Sequence, residues 1–179
     1  MIRLATAATI ATLLSACASG PMQSTFSQDS LPAAVKVPAG NMVAMETIGT
    51  GQITYECRAK KDAAGQFEWV FVGPDAKLMS RSSAPVGKYY GPPATWESND
   101  GSKITGAQLA VSPSTPGNIP LQLVKANPAV GAGAMAGVTY IQRVATQGGV
   151  APAILCDANS VGKKEVVQYQ ADYIFWKAS

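Results

Sequence analysis

The chain has 179 residues, with 14 Lys+Arg against 11 Asp+Glu, no histidine and only 14% charged residues. That balance is too weakly basic for a nucleic-acid footprint, and Lys60-Lys61 and Lys163-Lys164 are isolated pairs in solvated loops. The absence of histidine removes Ser-His-Asp and Cys-His nucleophile activation and most zinc or copper sites.

Residues 1–16 read as a secretory signal peptide. Arg3 is the charged start, Leu4 to Leu14 the apolar stretch, and small residues precede the cut. The stretch falls short of the roughly 20 residues a spanning helix requires. Leu14-Ser15-Ala16-Cys17 resembles the lipobox of bacterial lipoproteins. The resemblance implies a lipid on Cys17, cleavage before it and acylation of the new N-terminus. Acyl chains contribute about 0.8 kcal/mol per buried methylene, so several hold a protein on a bilayer without a membrane helix. Ala18 follows the cysteine, and by the same resemblance a residue other than Asp there directs the protein to the outer membrane, facing the periplasm. The plainer alternative is ordinary signal cleavage, with Cys17 a bystander. Residues 17–30 then form a small, polar, lipidated tether, and 31–179 a single β domain.

From Leu31-Pro32 onward, short alternating segments are broken by Gly, Pro and Asn. Asn41 to Ile48 is a first strand. Gln52 to Ala59 is a second, with Ile53, Tyr55 and Cys57 on one face. Gln66 to Val72 sets Phe67, Trp69 and Phe71 on one face as a core stripe. Lys103 to Val111 and Ile119 to Lys125 follow. Ala126 to Gly137 carries Pro128 and several glycines and reads as a loop with at most one helical turn. Val138 to Thr146 alternates Val138, Tyr140, Gln142 and Val144 against Thr139, Ile141, Arg143 and Ala145. Glu165 to Trp176 is the clearest strand, with Val167, Tyr169, Ala171, Tyr173 and Phe175 facing one way. About eight to ten such strands imply an all-β, single-domain antiparallel β-sandwich or partly closed β-barrel.

With Cys17 assigned to lipid, Cys57 and Cys156 remain. An even pair in an oxidising compartment predicts a disulfide. A metal site or a reactive thiol is the alternative, and two thiolates without histidine make a poor metal site.

No nucleotide-binding signature is present. Gly131, Gly133 and Gly137 do not follow a strand and open a helix, and no phosphate-binding Gly-Lys-Ser/Thr loop occurs. No residue is assigned as catalytic, and no metal or cofactor is expected. Paired carboxylates could still hydrolyse glycosides; the candidates are Glu56, Glu68, Glu97, Asp100, Asp157 and Asp172. Asp100-Gly101 is a turn signal, and Asp there ordinarily bonds its own backbone. Tyr89, Tyr90 and Trp96 lie in a Pro/Gly-rich segment, read as a loop. They either cap one end of the core or present a binding surface for a sugar ring or a partner.

A set of spaced elements resembles a known family. They are Val37-Pro38-Ala39-Gly40, Gln52-Ile53-Thr54-Tyr55-Glu56-Cys57, Trp69 with Pro74-Asp75-Ala76-Lys77-Leu78, and Trp96-Glu97-Ser98-Asn99-Asp100-Gly101-Ser102. Asn118-Ile119-Pro120, Val138 to Val144, Gly148-Gly149, Ala151-Pro152, Cys156 and Tyr169 to Phe175 complete it. The pattern is similar to the DUF3455 family, secreted proteins of bacteria and fungi with no established activity, over Leu31 to Phe175. The family often carries His in a Gly-Thr-His-Tyr run where this chain has Gly87-Lys88-Tyr89-Tyr90, and Trp after Ile-Pro where it has Leu121. If that histidine is a ligand or catalyst in relatives, this chain has lost it.

These observations lead to a lipid-anchored cell-envelope protein, a non-enzymatic β domain binding a small ligand, a glycan or an envelope protein, and no nucleic acid. A carboxylate-pair envelope hydrolase and a purely structural or stress-related envelope protein are the alternatives.

Overall fold

Segments rich in β-branched and aromatic residues form strands, as their fit to a pleated surface directs. The computed structural model describes residues 26–179; Cys17, the signal segment and most of the tether lie outside the described residues. β1 spans Asn41–Ala59, β2 Phe67–Met79, β3 Pro85–Tyr90, β4 Thr95–Ser98, β5 Lys103–Ser112, β6 Leu121–Ala126, β7 Val138–Gly148 and β8 Lys164–Ala178. Each pairs antiparallel with the next, and β8 returns to pair with β1, so the sheet closes into a barrel. Of the two expected all-β architectures the chain adopts the barrel, and among the described residues closure leaves no open sheet edge.

Two expected strands are one. Gly49-Thr50-Gly51 reads as a break, yet β1 runs straight through it. A Cβ on Gly49 would strike the Tyr173 ring, and one on Gly51 the backbone of Asp75 and Ala76. These glycines therefore mark close approach inside a curved strand rather than a turn.

β3 and β4 were expected as a loop and instead form a hairpin joined through Gly91 to Ala94, with Tyr89 paired to Trp96 across it. Prolines and glycines dominate the local signal there, and both strands are short. The stripe Phe67, Trp69 and Phe71 also departs from expectation. Trp69 and Phe67 are only partly buried, and Phe71 is 50% exposed. The cause is position: this half of β2 lies beyond the reach of β3, whose pairing stops at Asp75.

Inside the barrel, Tyr169, Ala171, Tyr173 and Phe175 of β8 face inward and are buried. Tyr89 stacks on Trp96 at 4.7 Å, and Tyr173 meets both rings. A second cluster covers the outside wall. Val35 and Val37 pack on Leu123, Val144, Ile174 and Trp176, and Phe26 meets Trp176 edge-on at 6.2 Å. Packing thus reaches back to Phe26, ahead of Leu31. A buried amide fastens this N-terminal strap. Gln142 Nε2 donates to the carbonyl of Val35 (2.7 Å) and to Gln28 Oε1 (3.1 Å), and Gln142 Oε1 accepts from Trp176 Nε1 (2.9 Å).

One end of the barrel is plugged. The β6–β7 connection folds inward, and Met135 is buried in the interior cluster. It forms no helix.

Candidate functional site

The opposite end is open. Connections β1–β2, β3–β4, β5–β6 and β7–β8 gather there, and between them lies a cavity of about 390 Å³. Its walls are aromatic and aliphatic: Tyr55, Phe71, Tyr89, Trp96, Ile119 and Val124, with Val111 at the lip. Gln108, Gln122 and Arg143 supply the polar groups. Such a volume, apolar lining and few polar groups match small-molecule sites.

The strand pleat places these groups. Ile53 and Tyr55 point inward from β1, and Ile141 and Arg143 from β7, because residues two apart share a face. The mouth is braced on one side by the β7–β8 connection. Cys57 of β1 and Cys156 of that connection form a disulfide, with Cα atoms 5.5 Å apart. Tyr55 donates its hydroxyl to the carbonyl of Gly149 (2.8 Å), and Trp69 Nε1 donates to that of Ile154 (2.9 Å). Burial raises the Tyr55 and Tyr89 hydroxyls above their ordinary pKa, partly countered by the Arg143 charge. Both are neutral at neutral pH.

The three aromatic candidates separate. Tyr89 and Trp96 line the cavity, whereas Tyr90, next along β3, points to the outer face and donates to Glu97 Oε2 at 2.7 Å. Glu97 also meets Lys88 at 3.4 Å, and both contacts hold its carboxyl below the ordinary range, the tyrosine first. The other carboxylates have local structural partners. Glu56 pairs with Arg58, Asp172 with Arg81, and Asp157 caps the short 3-10 turn Ala158–Ser160 through the Asn159 N–H. Glu68 is exposed. Among the described residues no Asp or Glu lines the cavity. Among the described residues no cluster of three or more His, Cys, Asp or Glu could hold a metal ion.

Asp100 does more than close its turn. Its Oδ1 accepts from the Ser102 hydroxyl (2.6 Å) and N–H (2.9 Å), and its Oδ2 accepts from the Ala134 N–H (2.7 Å). Ser102 in turn accepts from the Met135 N–H at 3.1 Å. The β4–β5 turn therefore clamps the plug. The Ser102 hydroxyl, then the two N–H groups, lower the Asp100 pKa from 3.8 to about 2. A carboxyl whose folded pKa is depressed stabilises the fold above its unfolded value and loses that contribution as pH falls through the folded one. We expect Asp100→Asn to melt lower at neutral pH and to show a shallower acid decline between about pH 4 and 2 than wild type, measured by thermal denaturation across pH. An unchanged acid limb would remove the clamp.

Sequence reasoning missed Arg143 and Tyr55 as site residues. The available signal for Arg143 was its place on one strand face with Ile141, which puts a charge on an inward face.

Comparison with curated proteins and with solved structures finds no match. A family model described as a protein of unknown function, DUF3455, matches residues 38–177. That span holds the whole barrel apart from the last residue of β8, together with every lining residue of the mouth, and the chain belongs to the DUF3455 family.

Proposed function

We propose that this protein is a lipid-anchored cell-envelope domain, held at the outer membrane and facing the periplasm through Cys17, whose barrel takes a small ligand into its open mouth without catalysing a reaction. The cavity carries the reading: it is built largely from strand residues, is mostly apolar, and has a few polar groups converging from β5, β6 and β7. The lipobox-like run before Cys17 supports the anchor.

The hydrolase alternative finds little support at this place. A glycosidase needs two carboxyl groups flanking the bond, and the lining residues include none. Glu97 and Asp100 are taken up by Tyr90 and by the plug clamp.

The test uses a neutral apolar fluorophore, N-phenyl-1-naphthylamine, with protein purified from cell envelopes. Wild type should enhance its emission saturably. Val111→Trp, which fills the lip from a half-exposed position, should lose most of that signal while melting within a few degrees of wild type. In the same cells Cys17→Ser should move the protein from the membrane to the soluble fraction. Equal dye binding by the Val111→Trp variant would sink the cavity assignment, and unchanged membrane association of Cys17→Ser would sink the anchor.

A further inference from the structure

We propose that the mouth of the barrel is a carboxylate site, taking a flat apolar molecule that bears one carboxylate; this rests on the cavity being the ligand site. Arg143 is the one charged side chain among the lining residues. Its Nε and Nη2 both donate to the carbonyl of Pro120, at 3.1 and 2.9 Å. A guanidinium has five N–H groups in a planar fork, so that contact fixes the plane and leaves the Nη1 donors for another acceptor. The ion pairs of the described residues are made by Arg58, Arg81 and Lys88, and none by Arg143. A half-buried guanidinium without a carboxylate partner, oriented by a backbone carbonyl, is suited to a planar carboxylate.

A second observation points the same way. Trp96 is 1% exposed, lines the cavity from β4, and its Nε1–H has no hydrogen-bond partner. Buried donors in native proteins are nearly always paired, and this orphan belongs to a residue of the cavity wall, where a small shift of the ring would offer it to an acceptor. The tyrosines beside it are neutral, so no fixed anion in the lining competes for Arg143. One cation against no anion favours a monoanion over a phosphate dianion, which recruits several basic groups. The remaining wall (Ile53, Phe71, Val111, Ile119, Val124) accommodates a flat apolar body.

Calorimetric titration with 2-naphthoate and with 2-naphthamide, matched in shape and differing in charge, tests this on the lipidated protein in detergent. Wild type should bind the acid at least about tenfold more tightly than the amide. Arg143→Gln should abolish that preference and leave amide binding intact, which also shows that the variant is folded. Arg143→Lys should keep part of the preference, and Trp96→Phe should reduce it. Equal affinity for acid and amide overturns the carboxylate assignment but leaves the cavity as a ligand site. Acid binding that persists in both Arg143→Gln and Val111→Trp lies elsewhere and overturns it too. Failure of both probes to bind removes the cavity reading and this proposal together.

Discussion

Replacing both Cys57 and Cys156 with alanine lowers the unfolding free energy by about 4 kcal/mol and the melting temperature by roughly 10–15 °C, with the barrel still formed at room temperature. The bond joins residues 99 apart. In the chain-entropy view, tying two points that distant removes much freedom from the unfolded chain, worth about 4–5 kcal/mol for a loop near 100 residues. The folded side adds a local role. Cys57 is fully buried near the end of β1, and Cys156 sits in the long β7–β8 connection, which has no strand of its own. Without the bond, that connection keeps the Trp69–Ile154 and Tyr55–Gly149 hydrogen bonds but loses its covalent tie to the barrel. Urea unfolding of oxidised wild type, reduced wild type and the double variant decides the matter. Reduced wild type and the variant should coincide, both well below the oxidised protein. If reduction leaves the midpoint unchanged, the crosslink contributes nothing to stability.

The parts of this fold that were legible from sequence are those whose signal is local. β8 alternates cleanly because Tyr169, Ala171, Tyr173 and Phe175 fill the interior, and the period of two survives in the letters. The cysteine pair follows from counting. What was not legible depends on closure. Gly49 and Gly51 resemble a turn until Tyr173 and Ala76 are seen lying against them. The β3–β4 hairpin is hidden by its prolines. Ile174 and Trp176 look like outward residues at the end of a strand, and they are buried only because residues 26–37 return to cover them.

The candidate site shows the same division. Tyr89 and Trp96 were singled out as aromatics in an odd segment, but their separation from Tyr90 follows from the pleat of a strand that sequence reading took for a loop. Arg143, Tyr55 and Trp96 stand on β7, β1 and β4, far apart in the chain. Only the closing of β8 onto β1 sets them around one cavity.

Gln142→Leu destabilises the domain by about 3 kcal/mol although leucine is apolar and of comparable volume. Gln142 is fully buried on the outer face of β7, under the strap. It satisfies three groups at once: the Trp176 indole N–H, the Val35 carbonyl and Gln28 Oε1. Gln28 also accepts from the Val37 N–H (2.7 Å) and donates to the Val37 carbonyl (3.0 Å), so it keeps partners of its own. The other two are orphaned by leucine, and a buried polar group left unpaired costs about 1–3 kcal/mol, against a small gain from apolar contact. Trp176→Phe removes the orphaned donor and leaves only the Val35 carbonyl. The double variant Gln142→Leu with Trp176→Phe should therefore cost at least about 1 kcal/mol less than the sum of the singles in a urea-unfolding cycle. Strict additivity would mean that the Trp176–Gln142 bond does not couple strap to barrel. Amide exchange within residues 26–37 supplies the structural readout. Exchange should quicken there in Gln142→Leu while the inward-facing half of β8 stays protected, because the strap is held by the outer cluster, this amide and a bond from the Phe26 N–H to Glu46 Oε1, whereas β8 is held along its length by two neighbouring strands.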